Sequence, residues 1–196
     1  MQARTFIAYK PFGMLTQFSG QAGDLTLKDL GFDFAKDVYP VGRLDKDSEG
    51  LLLLSSDTRI NQALLEPRFG HQKEYWVQVE NIPGAEDLAR LATGVTIKGG
   101  HKTAPCEAKL IADPHLPERS PPVRYRKSIP TAWMQLVLHE GKNRQVRRMT
   151  AAVGHPTLRL LRWRIEHLTL DGLQPGDVRA LSPAEWLALK TRLKLR

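Results

Sequence analysis

Gly42-Arg43-Leu44-Asp45-Lys46-Asp47-Ser48-Glu49-Gly50-Leu51-Leu52-Leu53-Leu54 is the stretch from which the rest of this chain is read outward. Four consecutive leucines held between Gly50 and Ser55-Ser56 predict a short, fully buried strand, since the run has the length of a strand and turn residues bound it. The loop before it carries Asp45 among basic neighbours at the strand mouth, and loops held by a rigid scaffold present a large share of reactive groups. Calcium binding, a structural ion pair and catalysis are all open to Asp45 at this point.

Upstream, Thr5-Phe6-Ile7-Ala8-Tyr9 reads as an opening strand ended by Lys10-Pro11-Phe12-Gly13. Downstream, Asp57 is placed to cap a short helix through Ile60, Ala63 and Leu64 that Pro67 stops. Alternation in Tyr75-Trp76-Val77-Gln78-Val79 predicts another strand, and Ala85 to Ala92 a helix closed by Gly94. Residues 113–130 hold Pro114, Pro117, Pro121, Pro122 and Pro130 interleaved with Arg119, Arg124, Arg126 and Lys127, which predicts a long basic loop. Loops of that length are commonly functional or disordered. A strand resumes at Ala132 to Leu138, and Ala184 to Lys190 reads as a terminal helix.

With 196 residues the chain can bury a proper core, as one domain or two small lobes sharing a sheet. No apolar run approaches the roughly 20 residues that cross a bilayer, and no signal-peptide pattern opens the chain. A soluble, cytoplasmic protein without membrane contact is expected. Cys106 is the single cysteine, which excludes an internal disulfide and a cysteine-rich zinc site. A net charge of +8 favours a polyanionic partner, because Lys and Arg gain affinity by displacing counterions from phosphates.

The most basic segment predicts a helix from Arg144 to Val153 capped by Asn143 and ended by Gly154. Val146, Met149 and Val153 share its apolar face, Arg144 and Arg148 project from the other, and Arg147 lies at the boundary. The strand after it, Thr157 to Arg164, alternates three further arginines with apolar residues. Helix and strand together make a cationic surface suited to a phosphate backbone.

Two other chemistries fit less well. Asp45, Asp47, Glu49 and Gly50 imitate the first half of an EF-hand loop, but Ser56 stands where its bidentate glutamate belongs and Pro40 where its first helix would run. The histidines lack metal-ligand spacing, so no metal is expected.

Lys10-Pro11-Phe12-Gly13, then Gly42-Arg43-Leu44-Asp45 with Ser48 to Leu54, then Lys73-Glu74-Tyr75, then Glu140 to Met149, resemble the ordered motifs of the RsuA-type pseudouridine synthases. The resemblance implies an α+β fold whose central, largely antiparallel or mixed sheet bends around an active-site cleft, with helices flanking it. It assigns residues 1–183 to a catalytic domain of two sublobes sharing one sheet and 184–196 to a helical tail. No room is seen upstream for the S4-like RNA-binding domain that many members carry.

By resemblance the activity is isomerisation of a uridine in large-subunit ribosomal RNA, by base flipping and transfer of the glycosidic bond from N1 to C5. No cofactor is implied, and a monomer that binds RNA rather than DNA is expected. The family's essential aspartate falls on Asp45, its carboxylate-pairing arginine on Arg147, its stacking tyrosine on Tyr75 and its apolar wall on Leu161. Whether Asp45 attacks C1′, attacks the base or abstracts the 2′ proton stays open. Arg43 is placed to contact phosphate or extrude the base, or else to form a structural ion pair. Lys73, Asn143, Arg144, Gln145, Arg148 and Arg162, with Arg124, Arg126 and Lys127 of the basic loop, are the remaining candidate RNA contacts. Asp47 and Glu49 are left to shape or solvate the loop. A non-catalytic ribosome assembly factor on the same fold is the rival reading, against which stands an aspartate that would repel phosphate in a cationic cleft.

Overall fold

In the computed structural model, which describes residues 4–66, 69–124, 126 and 128–195, the chain opens with β1 (Thr5–Lys10), β2 (Tyr39–Val41) and the leucine strand β3 (Glu49–Ser55). There follow α1 (Thr58–Leu65), β4 (Lys73–Glu80), α2 (Ala85–Thr93), β5 (Glu107–Ile111) and β6 (Thr131–Leu138). The last third holds α3 (Gln145–Ala152), β7 (Thr157–Ile165), β8 (Leu168–Thr169), β9 (Val178–Ala180) and α4 (Pro183–Arg192).

These strands make one mixed sheet in the order β5-β6-β4-β7-β3-β1-β9, with β2 added to β3 and β8 to β7. Pairing is antiparallel throughout except between β3 and β7, which meet in parallel at Glu49 opposite Leu161 and Gly50 opposite Arg162. That short joint couples the β1-β3 half of the sheet to the β4-β7 half. Gly50 makes it possible: its φ is +110°, and a Cβ there would collide with the backbone of Arg162.

Both faces of the leucine strand are covered, which is why it reads as a continuous apolar run rather than an alternation. Leu51 and Leu53 pack with Ile7 and Tyr9 under Ile60, Ala63 and Leu64 of α1 and Leu189 of α4. Leu52 and Leu54 join Phe6 and Ala8 on the opposite face, closed by the Phe18, Phe32 and Phe34 rings. Each leucine is fully buried, worth about 1.5–3 kcal/mol apiece. The terminal helix thus shares its core with β1 and β3.

The expected caps of α1 and α2 are present: the Asp57 carboxylate accepts from the Arg59 N–H, and Gly94 ends α2 at φ +93°. The basic helix differs from expectation at its start. Arg144, in a left-handed conformation with φ 51°, is the N-cap and the helix begins at Gln145, while the Asn143 side chain instead accepts from Arg148. Val146 and Met149 are buried as the periodicity required, and so are Gln145 and Thr150.

Residues 113–130 form no helix or strand among the described residues, as expected, yet they are tied to the sheet. Arg159 donates to the Pro117 carbonyl at 2.9 Å, Leu116 packs on the β3 core, and the Arg119 guanidinium lies 4.0 Å from the centre of the Phe12 ring. Pro67 and Lys127 lie outside the described residues.

Candidate active site

Asp45 is held by the backbone around it rather than by its own side chain. Its carbonyl closes a turn with the Ser48 N–H at 3.0 Å, and the Lys46 carbonyl accepts from Gly13 at 2.8 Å. One residue earlier, the Thr16 hydroxyl donates to the Leu44 carbonyl at 2.7 Å and accepts from the Leu44 N–H at 3.1 Å. Beneath these turns the fully buried Lys10 ammonium donates to the carbonyls of Pro11 and Met14. The motif containing Lys10 therefore serves the Asp45 loop as its foundation.

Asp45 opens into a cleft of about 690 Å³ between that loop, α1, the β4-β7 sheet and the turn before α3. Its carboxylate is about one-third exposed, and its one ion-pair partner among the described residues is Arg144 at 3.8 Å. Other charges on the wall are mostly cationic: Arg43, Lys73 and Arg162. Lys73 is buried, and burial pulls its ammonium below the ordinary lysine range, Arg162 adding to the fall and Glu166 opposing it. Arg162 donates through Nε to the Leu51 carbonyl at 2.8 Å, while its buried Nη2 has no partner among the described residues. Such a donor is costly unless something supplies an acceptor.

Of the sequence candidates, Arg43, Asp45, Lys73, Tyr75, Asn143, Arg144, Gln145 and Arg162 line this one cleft. Several pairings differ from expectation. Arg147 does not contact Asp45; its Nη2 donates to the Asp47 carbonyl at 2.6 Å and its Nε stands 3.4 Å from the Asp47 carboxylate. Arg144 takes the place expected of Arg147, forking both Asp47 oxygens at 2.8 Å while reaching Asp45. Arg144, at the N-cap of α3, reaches both carboxylates of the loop, whereas Arg147, three residues further on, reaches only Asp47. Asp47 is consequently the hub of the loop: burial raises its carboxyl, but the Arg144 hydrogen bonds and both arginine charges outweigh this and hold it below the usual range.

Glu49 is not a solvated loop residue either. It is buried and forked by Arg159 at 2.8 Å on each oxygen. Arg164 likewise binds Glu74 at 2.8 Å, so of the three β7 arginines Arg162 alone lines the cleft, and the strand is no phosphate-binding surface. Strand alternation explains this, together with a bulge that leaves Trp163 unpaired between Arg162 opposite Tyr75 and Arg164 opposite Glu74. The same alternation buries Leu161 in the β3 core and gives the cleft wall to Leu160. Gln145 is committed to the lip, donating to Glu140 at 2.6 Å and accepting from the Lys142 N–H at 2.8 Å. In the basic loop Arg126 pairs with Glu80 at 3.4 Å and Arg124 is exposed; neither they nor Arg148 line the cleft.

Sequence reasoning gave no role to Lys10, Thr16 or Ser48. Ser48 lines the cleft with a buried hydroxyl that has no partner among the described residues. Lys10 and Ser48 lay within quoted motifs, so a signal existed for both; Thr16 becomes visible when the loop is folded.

The sequence matches the RNA pseudouridylate synthase family over residues 4–152, and the chain belongs to that family. It is thus an isomerase acting on RNA, and a non-catalytic assembly factor is not favoured. Within the family it is similar to the ribosomal large subunit pseudouridine synthase E of Vibrio vulnificus (strain CMCP6), with 46% identity over 92% of this chain and 76% of the relative. The protein of the same name from Xanthomonas axonopodis pv. citri is 50% identical over 87% of this chain and 90% of its own. A crystal structure of a pseudouridylate synthase superposes with a TM-score of 0.79 at 26% identity, covering 96% of this chain and 74% of that one. No helix among the described residues is long and apolar enough to cross a membrane.

Proposed function

We propose that this protein converts a uridine of large-subunit ribosomal RNA to pseudouridine, with Asp45 as the reacting carboxylate. The observation that carries the residue assignment is Asp45 itself: a partly exposed carboxylate on the wall of a cationic cleft, anchored through the backbone on both sides so that its side chain stays available. The substrate assignment draws on relatives named for the large subunit.

The target base is flipped into the cleft, at a few kcal/mol of lost stacking that the Tyr75 ring and the Leu160 wall partly recover. The Tyr75 hydroxyl has no hydrogen bond among the described residues, which suits a ring that works by its face. Asp45 acts as nucleophile or base toward the nucleoside, N1 leaves C1′, the base turns and C5 attaches. N1 gains the proton that C5 gives up, so the reaction balances without a redox partner. The free Nη2 of Arg162 and the Lys73 ammonium supply donors and positive charge where the detached base carries negative charge. Arg144 offsets the Asp45 charge, and Arg147 works at one remove by fixing Asp47.

Asp45→Asn tests the assignment. Tritium release from RNA labelled at uridine C5 is expected to vanish while RNA binding and the melting transition stay near wild type. Release near the wild-type rate would overturn the role of Asp45. Pseudouridine mapping of ribosomal RNA from cells with and without the protein tests the substrate, and identical maps would refute it.

A further inference from the structure

A hairpin outside the cleft is built into the same rigid edge as the cleft lip. Thr96 and Lys102 bridge across it, Ile97 donates to the His101 carbonyl at 2.9 Å, and Lys98-Gly99-Gly100 form the tip. Its base is fixed by the Thr103 N–H to the Val95 carbonyl at 3.0 Å and the Val95 N–H to the Thr103 hydroxyl at 3.0 Å. Gly94 lies so close to the Thr103 carbonyl that a Cβ would collide with it.

Glu140 joins this hairpin to the lip. One of its oxygens accepts from the Ala104 N–H at 2.9 Å and from Gln145 at 2.6 Å, and the other stands 3.5 Å from His101. Gln145 in turn holds the Lys142 N–H, and Lys142 lines the cleft. The acid is thereby consumed inside the edge, its hydrogen bonds outweighing burial to hold it below the usual range.

What remains outward is basic. Lys98, Lys102 and Lys142 are exposed and make no ion pair among the described residues. At the tip, Gly99 and Gly100 have positive φ and open space where side chains would stand, which lets a partner backbone approach closely. Unpaired lysines around an accessible peptide turn suit phosphates, whose charge an ammonium answers from any direction.

We infer that the hairpin 96–102 and the lip at Lys142 form a phosphate track for the RNA leading away from the target uridine. The inference rests on the reading that RNA occupies the cleft, and it adds a binding element remote from the reacting atoms. Such an element sets affinity and placement, and leaves chemistry on bound RNA unchanged.

The test is a Lys98→Ala/Lys102→Ala variant, measured for binding to a large-subunit ribosomal RNA transcript across a salt series and for tritium release at saturating RNA. Lys28→Ala/Lys36→Ala, at a depression whose residues do not line the cleft, removes the same charge elsewhere as a control. Each lost phosphate contact is expected to lower the slope of log K against log salt by about 0.7–0.9, so the hairpin variant falls by about 1.4–1.8 while the control stays near wild type. Turnover at saturation is expected to match wild type. An unchanged slope, an equal fall in the control, or lost turnover at saturation would overturn the inference. Failure of the wild type to convert any uridine of the transcript would instead sink the large-subunit reading, and the binding slopes would still decide the hairpin.

Discussion

Thr16→Val is expected to damage catalysis by loosening the residue before Asp45. The Thr16 hydroxyl satisfies both backbone groups of Leu44, at 2.7 Å and 3.1 Å, and both residues are buried. Valine nearly keeps the side chain's shape and strands a buried donor and a buried acceptor, each costing about 1–3 kcal/mol. Partial relaxation brings the sum to about 2–4 kcal/mol, less than the roughly 5–15 kcal/mol that keeps a domain folded. The variant therefore folds, and the relaxation itself moves Asp45. A displacement of an ångström in a reacting group costs about 100-fold, so turnover is expected to fall about 10- to 100-fold with little change in RNA affinity. Urea unfolding reads the stability and tritium release reads the rate. Thr16→Ser, which keeps the hydroxyl, is expected to stay near wild type in both. Wild-type turnover in the valine variant, or an equal loss in the serine variant, would refute the clamp.

Tyr75→Phe is expected to retain most activity, whereas Tyr75→Ala loses about 1–3 kcal/mol of base stacking, roughly 5- to 150-fold in turnover; equal loss in both would show that the hydroxyl matters. Arg159→Met leaves the buried Glu49 without its fork and is expected to cost about 3–5 kcal/mol in urea unfolding, most of it recovered in Glu49→Leu/Arg159→Met, and a double variant as unstable as the single would contradict this. Burial lowers Lys10 to about 8 from 10.5, so between those values the unfolded chain holds more protons than the folded one. Stability should accordingly gain a rising component with pH across that window, constant below it and absent from Lys10→Met; a Lys10→Met curve parallel to wild type would count against it.

The sequence by itself determined most of the elements, β1, β3, β4, β6, β7 and the helices α1 to α4, and put Asp45 on the loop ahead of the leucine strand, while the short strands β2, β8 and β9 and the edge strand β5 were not legible in it. A leucine run bounded by Gly50 and Ser55 could be little other than a buried strand, and the spacing of Val146 and Met149 settled the inner face of the basic helix. These features were legible because periodicity and turn chemistry act between near neighbours in the chain. The choice of partner for each charge was decided by tertiary structure. Arg159 meets Glu49 across 110 residues, Arg147 meets Asp47 across 100, and Arg144 meets Asp47 across 97. Charge attraction is blind to sequence distance, so three similar arginines at the start of α3 could not be told apart until the fold set which carboxylates each one reached. The register of β7 is the same lesson in geometry: alternation turns Leu160 with Arg162 to the cleft and Leu161 to the core, and the bulge at Trp163 then turns Arg164 to Glu74. The leucine strand tells where the carboxylate sits, and the packing of the two sheet halves around Gly50 decides what surrounds it.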